Sequence, residues 1–132
     1  MYSEDLHFWY NKELILKPTY PWEFIQLGNC GSPIEIEEGW LVISHGVGPM
    51  RKYSIGAFLL EKLDPRIVIG RLLEPLLVPN EKEREGYVPN VVYSCGSAIN
   101  GDDLLLPYAM SDRSVGFAKI NLKQLVSKLN SN

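Results

Sequence analysis

The chain has 132 residues, of which 45% are hydrophobic, and its formal net charge is -3. This length is sufficient for one domain with its own core, and the scattered Lys and Arg argue against a nucleic-acid-binding surface. No apolar run approaches the ~18 residues of a membrane span, and the N-terminus has no signal-peptide pattern. We therefore expect one domain over 1–132, located in the cytoplasm, with no nucleic-acid or membrane partner.

In chain order, almost every predicted element is a β-strand. Short runs of Val, Ile, Leu, Phe and Tyr are interrupted by Gly, Pro, Asn or Asp, which is typical of all-β proteins. A short helix is predicted over 122–129, where Leu and Val recur at helical spacing and Asn121 can act as the N-cap. The predicted strands are 4–9, 13–17, 32–37, 40–45, 52–61, 66–72, 90–99, 103–109 and 114–120.

A hairpin pattern occurs twice, about 65 residues apart. Cys30-Gly31-Ser32 opens the first copy, which turns at Glu38-Gly39, and Cys95-Gly96-Ser97 opens the second, which turns at Asn100-Gly101. A third strand follows in each copy, with the sequences SIGAF at 54–58 and SVGFA at 114–118. A repeat of this kind indicates stacked sheets, because one such unit cannot bury both of its apolar faces.

The repeat favours consecutive blades of a β-propeller, at about 30–75 and about 88–120, with the strands over 4–17 belonging to a preceding blade. A β-sandwich is the alternative, although sandwich strands seldom duplicate their loop chemistry. The charged segment 80–86 is interpreted as a solvated connector. Because a closed propeller typically needs 4–8 blades, we expect this partial propeller either to form homo-oligomers or to lack N-terminal blades; the abrupt start of the first predicted strand favours the second.

The two cysteines are predicted to be buried small apolar residues rather than a disulfide, because they occupy the same place in neighbouring units. His7, His45 and the cysteines lack the close pairs of a zinc site, so no metal is expected. No serine lies in a Gly-x-Ser-x-Gly turn, which leaves nucleophilic catalysis without support.

Three polar stretches at strand ends are candidate binding sites. The first, 26–33, contains Gln26 and Asn29 beside glycines that allow close approach of a ligand. In the second, His45 ends an apolar strand before a glycine-rich turn with Arg51, Lys52 and Tyr53, a pattern that suits an anion. The third contains Asp112. Each has a structural alternative: a tight loop, a hydrogen-bonded histidine, or an aspartate that stabilises its turn.

These stretches resemble the C-terminal part of glycoside hydrolase family 130, which comprises mannoside phosphorylases and mannosidases. The resemblance covers nearly the whole chain, in order. It rests on GNCGSPIE at 28–35, EGWLVISHGVG at 38–48, EPLL at 74–77, GYVPNVVYSCG at 86–96 and YAMSD at 108–112. It implies a five-bladed propeller with a mannoside oligosaccharide bound on its axis, where an aspartic acid protonates the glycosidic oxygen and inorganic phosphate attacks with inversion.

That aspartic acid belongs to N-terminal blades, so the resemblance places no catalytic residue in this chain and no cofactor besides phosphate as co-substrate. It implies phosphate contacts for His45 and Tyr53, and hydrogen bonds from sugar hydroxyls to Asp112. Gln26 stands where phosphorylases commonly have Lys. This removes a cation, which Arg51 could replace, and makes hydrolysis more credible. The alternatives left open are a non-catalytic sugar-binding or oligomerising module and an inert remnant of a split gene.

Overall fold

The computed structural model describes residues 1–80 and 87–130, which form two antiparallel sheets and one α-helix. The predicted all-β class with a short C-terminal helix is confirmed. The predicted connector 80–86 lies outside the described residues, except for Asn80. The first sheet contains β1 (Gln26–Asn29), β2 (Ile34–Ile36), β3 (Gly39–Val47), β4 (Tyr53–Leu60) and β5 (Val68–Arg71). The second contains β6 (Val92–Tyr93), β7 (Ala98–Asn100), β8 (Asp103–Met110) and β9 (Ser114–Asn121), and helix α1 (Leu122–Leu129) follows.

The two sheets repeat one pairing scheme, which confirms the repeated hairpin. In the first, β3 pairs with β4 along its length, while β1 and β2 share the other edge of β3. In the second, β8 pairs with β9, while β6 and β7 share the other edge of β8. Both predicted hairpin turns are present, although the closing pairs Ile36 with Gly39 and Asn100 with Asp103 place each two-residue loop one residue away from its predicted position.

The N-terminal segment differs from the prediction. The strands expected over 4–9 and 13–17 are wrong: within the described residues this segment has only an isolated bridge between Tyr2 and Tyr10. Local bonds occupy the backbone instead, since the Asp5 carboxylate accepts from the N–H groups of His7 (2.9 Å) and Phe8 (3.0 Å). Such side-chain bonds compete with strand pairing, so alternating hydrophobicity alone was misleading here.

Two further boundaries were mispredicted. Strand β1 was not predicted, because its QLGN sequence contains no β-branched or aromatic residue. The strand expected over 90–99 is divided into β6 and β7 at Ser94, whose hydroxyl lies within hydrogen-bond distance of the carbonyl oxygens of Gly96 (2.9 Å) and Pro107 (2.7 Å). A break at the corresponding place, residues 30–33, separates β1 from β2.

The main core lies between the sheets and under the helix. Alternate residues of β3 and β4, such as Leu41 and Ile55, are fully buried against Leu104 and Leu106 of β8 and Leu129 of α1. Burial of each such side chain contributes about 1.5–3 kcal/mol. The Asn121 side chain accepts a hydrogen bond from the Gln124 backbone N–H at 3.1 Å, which confirms the predicted cap. In the described part of the chain, no helix is long and apolar enough to cross a membrane.

The outer face of the second sheet is apolar and exposed. Val115 and Phe117 project from β9 with exposed fractions of 67% and 81%. On the opposite side of the molecule, the far face of the first sheet is partly covered, where Val42 and Phe58 pack against Leu16. An uncovered apolar sheet face of this kind is characteristic of an interaction surface.

Candidate functional site

His45 lies near the end of β3, directly opposite Gly28 of β1. Its side chain is only 8% exposed. A Cβ atom on Gly28 would lie 2.7 Å from the imidazole Cε1 and 3.0 Å from Nε2, well inside van der Waals contact. The imidazole therefore lies next to the β1 backbone, in space that is open only because residue 28 has no side chain.

Two tyrosine rings and a thiol surround His45. Tyr53 stacks with its ring centroid 6.2 Å from the imidazole and an interplanar angle of 19°, and Tyr93 packs at 5.2 Å and 54°. The Cys30 Sγ lies 3.8 Å from Nδ1. Tyr93 comes from the second sheet, and sequence reasoning missed it because no local pattern links it to a histidine in the first.

The surroundings of His45 favour its neutral form. Burial lowers the pKa of His45 below its ordinary value of 6.5, and a hydrogen bond with the Asn29 backbone opposes this shift. Burial also raises the pKa of Cys30 to about 11, so this residue stays a thiol. A neutral imidazole has one donor and one acceptor nitrogen. An anion therefore binds it either by accepting a hydrogen bond from its N–H group or by favouring protonation of its second nitrogen.

The cysteine prediction is half confirmed. Cys30 is buried, as expected, but Cys95 is exposed, and both are free thiols. The two cysteine loops contact each other, since a Cβ on Gly31 would lie 2.8 Å from the Gly96 Cα. The two loops of the repeat therefore lie side by side, but the cysteine of the first faces the core and the cysteine of the second faces solvent.

The turn after β3 presents Arg51 next to Tyr53. Met50 and Arg51 both have left-handed backbones, with φ of 57° and 53°, and the Gly48 N–H closes the turn on the Lys52 carbonyl at 3.0 Å. Arg51 is exposed, whereas Tyr53 is partly buried. Together they border a surface groove of about 510 Å³ whose other wall is the segment 88–91.

Asp112 lies in the corresponding turn of the second sheet, between β8 and β9. Ser111 and Asp112 have φ of 49° and 52°, and the Arg113 N–H donates to the Met110 carbonyl at 3.0 Å. This is the geometry of a type I′ turn, in which Asp is favoured. Asp112 therefore suits the left-handed backbone of this turn, and its carboxylate is exposed as well.

Segment 88–91 links the two turns. The Asn90 carbonyl accepts from the Tyr53 N–H at 3.0 Å, and the Val91 carbonyl accepts from the Ser111 N–H at 2.9 Å. The two turns are thus anchored to adjacent residues of one segment. The structure stacks Tyr53 on His45, places Arg51 beside Tyr53 at the groove, and places Asp112 on the neighbouring turn.

Gln26 and Asn29 are the outlying candidates. Both are exposed on β1, opposite Val47 and Ser44 respectively. Asn29 borders a different, mostly apolar groove of about 400 Å³ between the N-terminal segment and the first sheet. In the described residues, no group of three or more His, Cys, Asp or Glu side chains lies close enough to hold a metal ion.

Comparison with known proteins gives consistent matches to one family. The family model described as beta-1,4-mannooligosaccharide phosphorylase matches residues 2–131. The 1,2-beta-oligomannan phosphorylase of Thermoanaerobacter sp. (strain X514) is 40% identical over 126 residues, which cover 94% of this chain and 43% of the relative. The Beta-1,4-mannooligosaccharide phosphorylase of Ruminococcus albus is 31% identical, over 98% of this chain and 40% of the relative.

A solved structure shares the fold. The Beta-1,2-mannobiose phosphorylase from Listeria innocua superposes with a TM-score of 0.81 at 31% identity, over 89% of this chain and 33% of that one. The chain thus spans less than half the length of these relatives. Because the family model matches nearly every residue, the chain belongs to glycoside hydrolase family 130.

Proposed function

We propose that this chain forms part of the sugar- and phosphate-binding site of a β-mannoside phosphorylase. The observation that carries the proposal is the match to mannoside phosphorylases over residues 2–131. In such a reaction, phosphate attacks the anomeric carbon of a mannoside from one face while the glycosidic oxygen leaves from the other and takes a proton, giving a mannosyl phosphate. The acid that delivers this proton is expected outside this chain.

His45, Tyr53 and Arg51 are the proposed phosphate ligands. The geometry supports this role, since His45 and Tyr53 stack and Arg51 precedes Tyr53 by two residues at the rim of one groove. An exposed guanidinium supplies permanent positive charge and a planar fork of donors that suits phosphate. The neutral imidazole then accepts a proton or donates an N–H once phosphate is bound.

Asp112, Asn29 and Gln26 are the proposed sugar-binding residues. Their exposed carboxylate and amide groups can hydrogen-bond sugar hydroxyls. We further propose that the two sheets are consecutive blades of a five-bladed propeller, with the β3–β4 and β8–β9 turns facing its axis. Their repeated pairing scheme and the likeness to the Listeria innocua enzyme support this arrangement. A cytoplasmic location stays a prediction.

Two alternatives have specific support. Hydrolysis is favoured by Gln26, an uncharged side chain where phosphorylases commonly have Lys, because a charged donor binds phosphate roughly twice as strongly as a neutral one. A non-catalytic module that associates through its sheets is favoured by exposed Val115 and Phe117. Light scattering of the wild-type chain and Phe117→Ser tests the second alternative, since a monomeric wild type contradicts it.

NMR of the histidine Cε1–H resonances tests the phosphate site. The chain has two histidines, so His7 is an internal control during titration with inorganic phosphate. A saturable shift of the His45 resonance, absent for His7 and weakened by Arg51→Gln, is expected. An unchanged His45 resonance at phosphate concentrations of tens of millimolar would contradict the assigned phosphate ligands.

A further inference from the structure

At equivalent positions of the two sheets, a pair of facing residues contains one ring and one small residue, but the ring lies on a different strand in each sheet. Gly28 and Tyr93 each precede the cysteine of their repeat copy by two residues. Gly28 pairs with His45 across β1 and β3, while Tyr93 pairs with Ala109 across β6 and β8. The first sheet thus carries its ring on β3, and the second carries its ring on β6.

This difference brings the two rings into contact across the sheets. The imidazole of His45 fills the space above Gly28 and meets the Tyr93 ring with a centroid distance of 5.2 Å. A tilted arrangement at this distance is one of the favoured geometries of aromatic pairs. Tyr93 is 37% exposed, whereas His45 is 8% exposed, so Tyr93 is the outer member and shields the imidazole from solvent.

From this arrangement we propose that Tyr93 is a positioning residue, which holds the His45 imidazole in the orientation that phosphate binding requires. The proposal rests on the phosphate role of His45 given above. Gly28 limits the imidazole from the β1 side, Tyr53 stacks along it, and the Cys30 Sγ lies by Nδ1. Tyr93 supplies a further contact, besides the hydrogen bond with the Asn29 backbone, and among Gly28, Tyr53, Cys30 and Tyr93 it alone comes from the second sheet. A phosphate-binding residue of one sheet thereby depends on the next.

Three variants test this role by the same NMR observation of His45. Tyr93→Ala removes the ring, Tyr93→Phe retains it without the hydroxyl, and Tyr10→Ala removes a tyrosine from another ring pair, with Phe8 at 6.0 Å in the N-terminal segment. In the absence of phosphate, Tyr93→Ala should move the titration midpoint of His45 upwards towards 6.5, because the imidazole becomes more exposed. Tyr93→Phe and Tyr10→Ala should leave it unchanged.

With phosphate, Tyr93→Ala should weaken binding by about three- to tenfold, which corresponds to the loss of one aromatic pair. Tyr93→Phe should restore the wild-type affinity. Unchanged His45 titration and unchanged affinity in folded Tyr93→Ala would overturn the proposal, as would an equal loss in Tyr93→Phe. If Tyr93→Ala does not fold, Tyr93→Leu takes its place, with a smaller upward shift of the His45 titration midpoint, because leucine covers part of the imidazole.

The phosphate function of His45 and the positioning role of Tyr93 can be refuted independently of each other. If wild-type protein does not bind phosphate but Tyr93→Ala still moves the His45 titration, the phosphate function is wrong and the positioning contact is supported. If phosphate binds normally to Tyr93→Ala with an unaltered His45 titration, the positioning role is wrong and the phosphate function is supported.

Discussion

Glu23→Gln should destabilise the fold far more than the loss of an ordinary surface charge. Glu23 ends the turn before β1 and is fully buried. Its Oε1 atom accepts from the backbone N–H groups of Thr19 (2.8 Å) and Tyr20 (2.9 Å) and forms an ion pair with Arg71 of β5. The Arg71 guanidinium also lies 4.7 Å from the centre of the Tyr20 ring. This cluster attaches the segment leading to Gln26 to the far edge of the first sheet.

The size of the effect follows from what glutamine can replace. Its carbonyl oxygen can still accept from Thr19 and Tyr20, but the charge opposite Arg71 is lost. Its amide nitrogen then occupies the position of Oε2, a buried atom with no hydrogen-bond partner among the described residues. Loss of a charge-assisted hydrogen bond costs about 1.5–3 kcal/mol, and full truncation of a buried ion-pair partner costs about 3–5 kcal/mol. We expect a loss of about 2–3 kcal/mol for Glu23→Gln and more for Glu23→Ala.

Urea unfolding followed by tryptophan fluorescence measures this loss, because Trp22 adjoins the cluster. Glu35→Gln is the matched control, since Glu35 forms an exposed ion pair with Lys62 at 3.2 Å and such pairs contribute about 1 kcal/mol or less. Thermal unfolding should agree, at about 4 °C per kcal/mol for a domain of this size. Equal destabilisation by Glu23→Gln and Glu35→Gln would refute the reasoning.

Three further outcomes are expected. Gly28→Ala should cost about 1–3 kcal/mol in urea unfolding, because its Cβ would lie 2.7 Å from the His45 ring; wild-type stability would show that the ring moves freely. Because burial lowers the pKa of His45 below 6.5 in the folded state, the unfolded chain binds the proton more readily, so stability should fall as the pH drops below about 6.5, and less so in His45→Gln. Native protein treated with iodoacetamide should be labelled at Cys95 and protected at Cys30, as read by peptide mass spectrometry; labelling of Cys30 without unfolding would contradict its burial.

The parts predictable from sequence were those encoded locally. The turns at Gly39 and Gly101 and the helical spacing over 122–129 lie within a few residues of the elements that they specify, and those elements are present. The predictions over 4–9 and 13–17 used the same kind of pattern but were wrong, because a strand also needs a neighbour with which to pair.

The contacts that build the candidate site are long-range. Neither the packing of Tyr93 on His45 nor the pairing of Glu23 with Arg71 has a sequence signal, because each joins residues about 48 positions apart. His45 and Tyr53 were found because they follow an apolar strand and its glycine-rich turn. In the sequence, nothing distinguishes Tyr93 from other aromatic residues of strands; its role depends on the contact that forms when the two sheets pack together.

Replacing the matching segment of the Thermoanaerobacter relative by residues 2–131 tests most directly whether this chain supplies a working phosphate and sugar site. The chimera should convert a β-1,2-mannooligosaccharide to mannosyl phosphate only when inorganic phosphate is present. His45→Ala in the chimera should reduce this turnover by at least about tenfold, since a charge-assisted phosphate contact contributes about 1.5–3 kcal/mol. A folded chimera that releases free mannose at a rate independent of phosphate, or that is unaffected by His45→Ala, would contradict the proposed function.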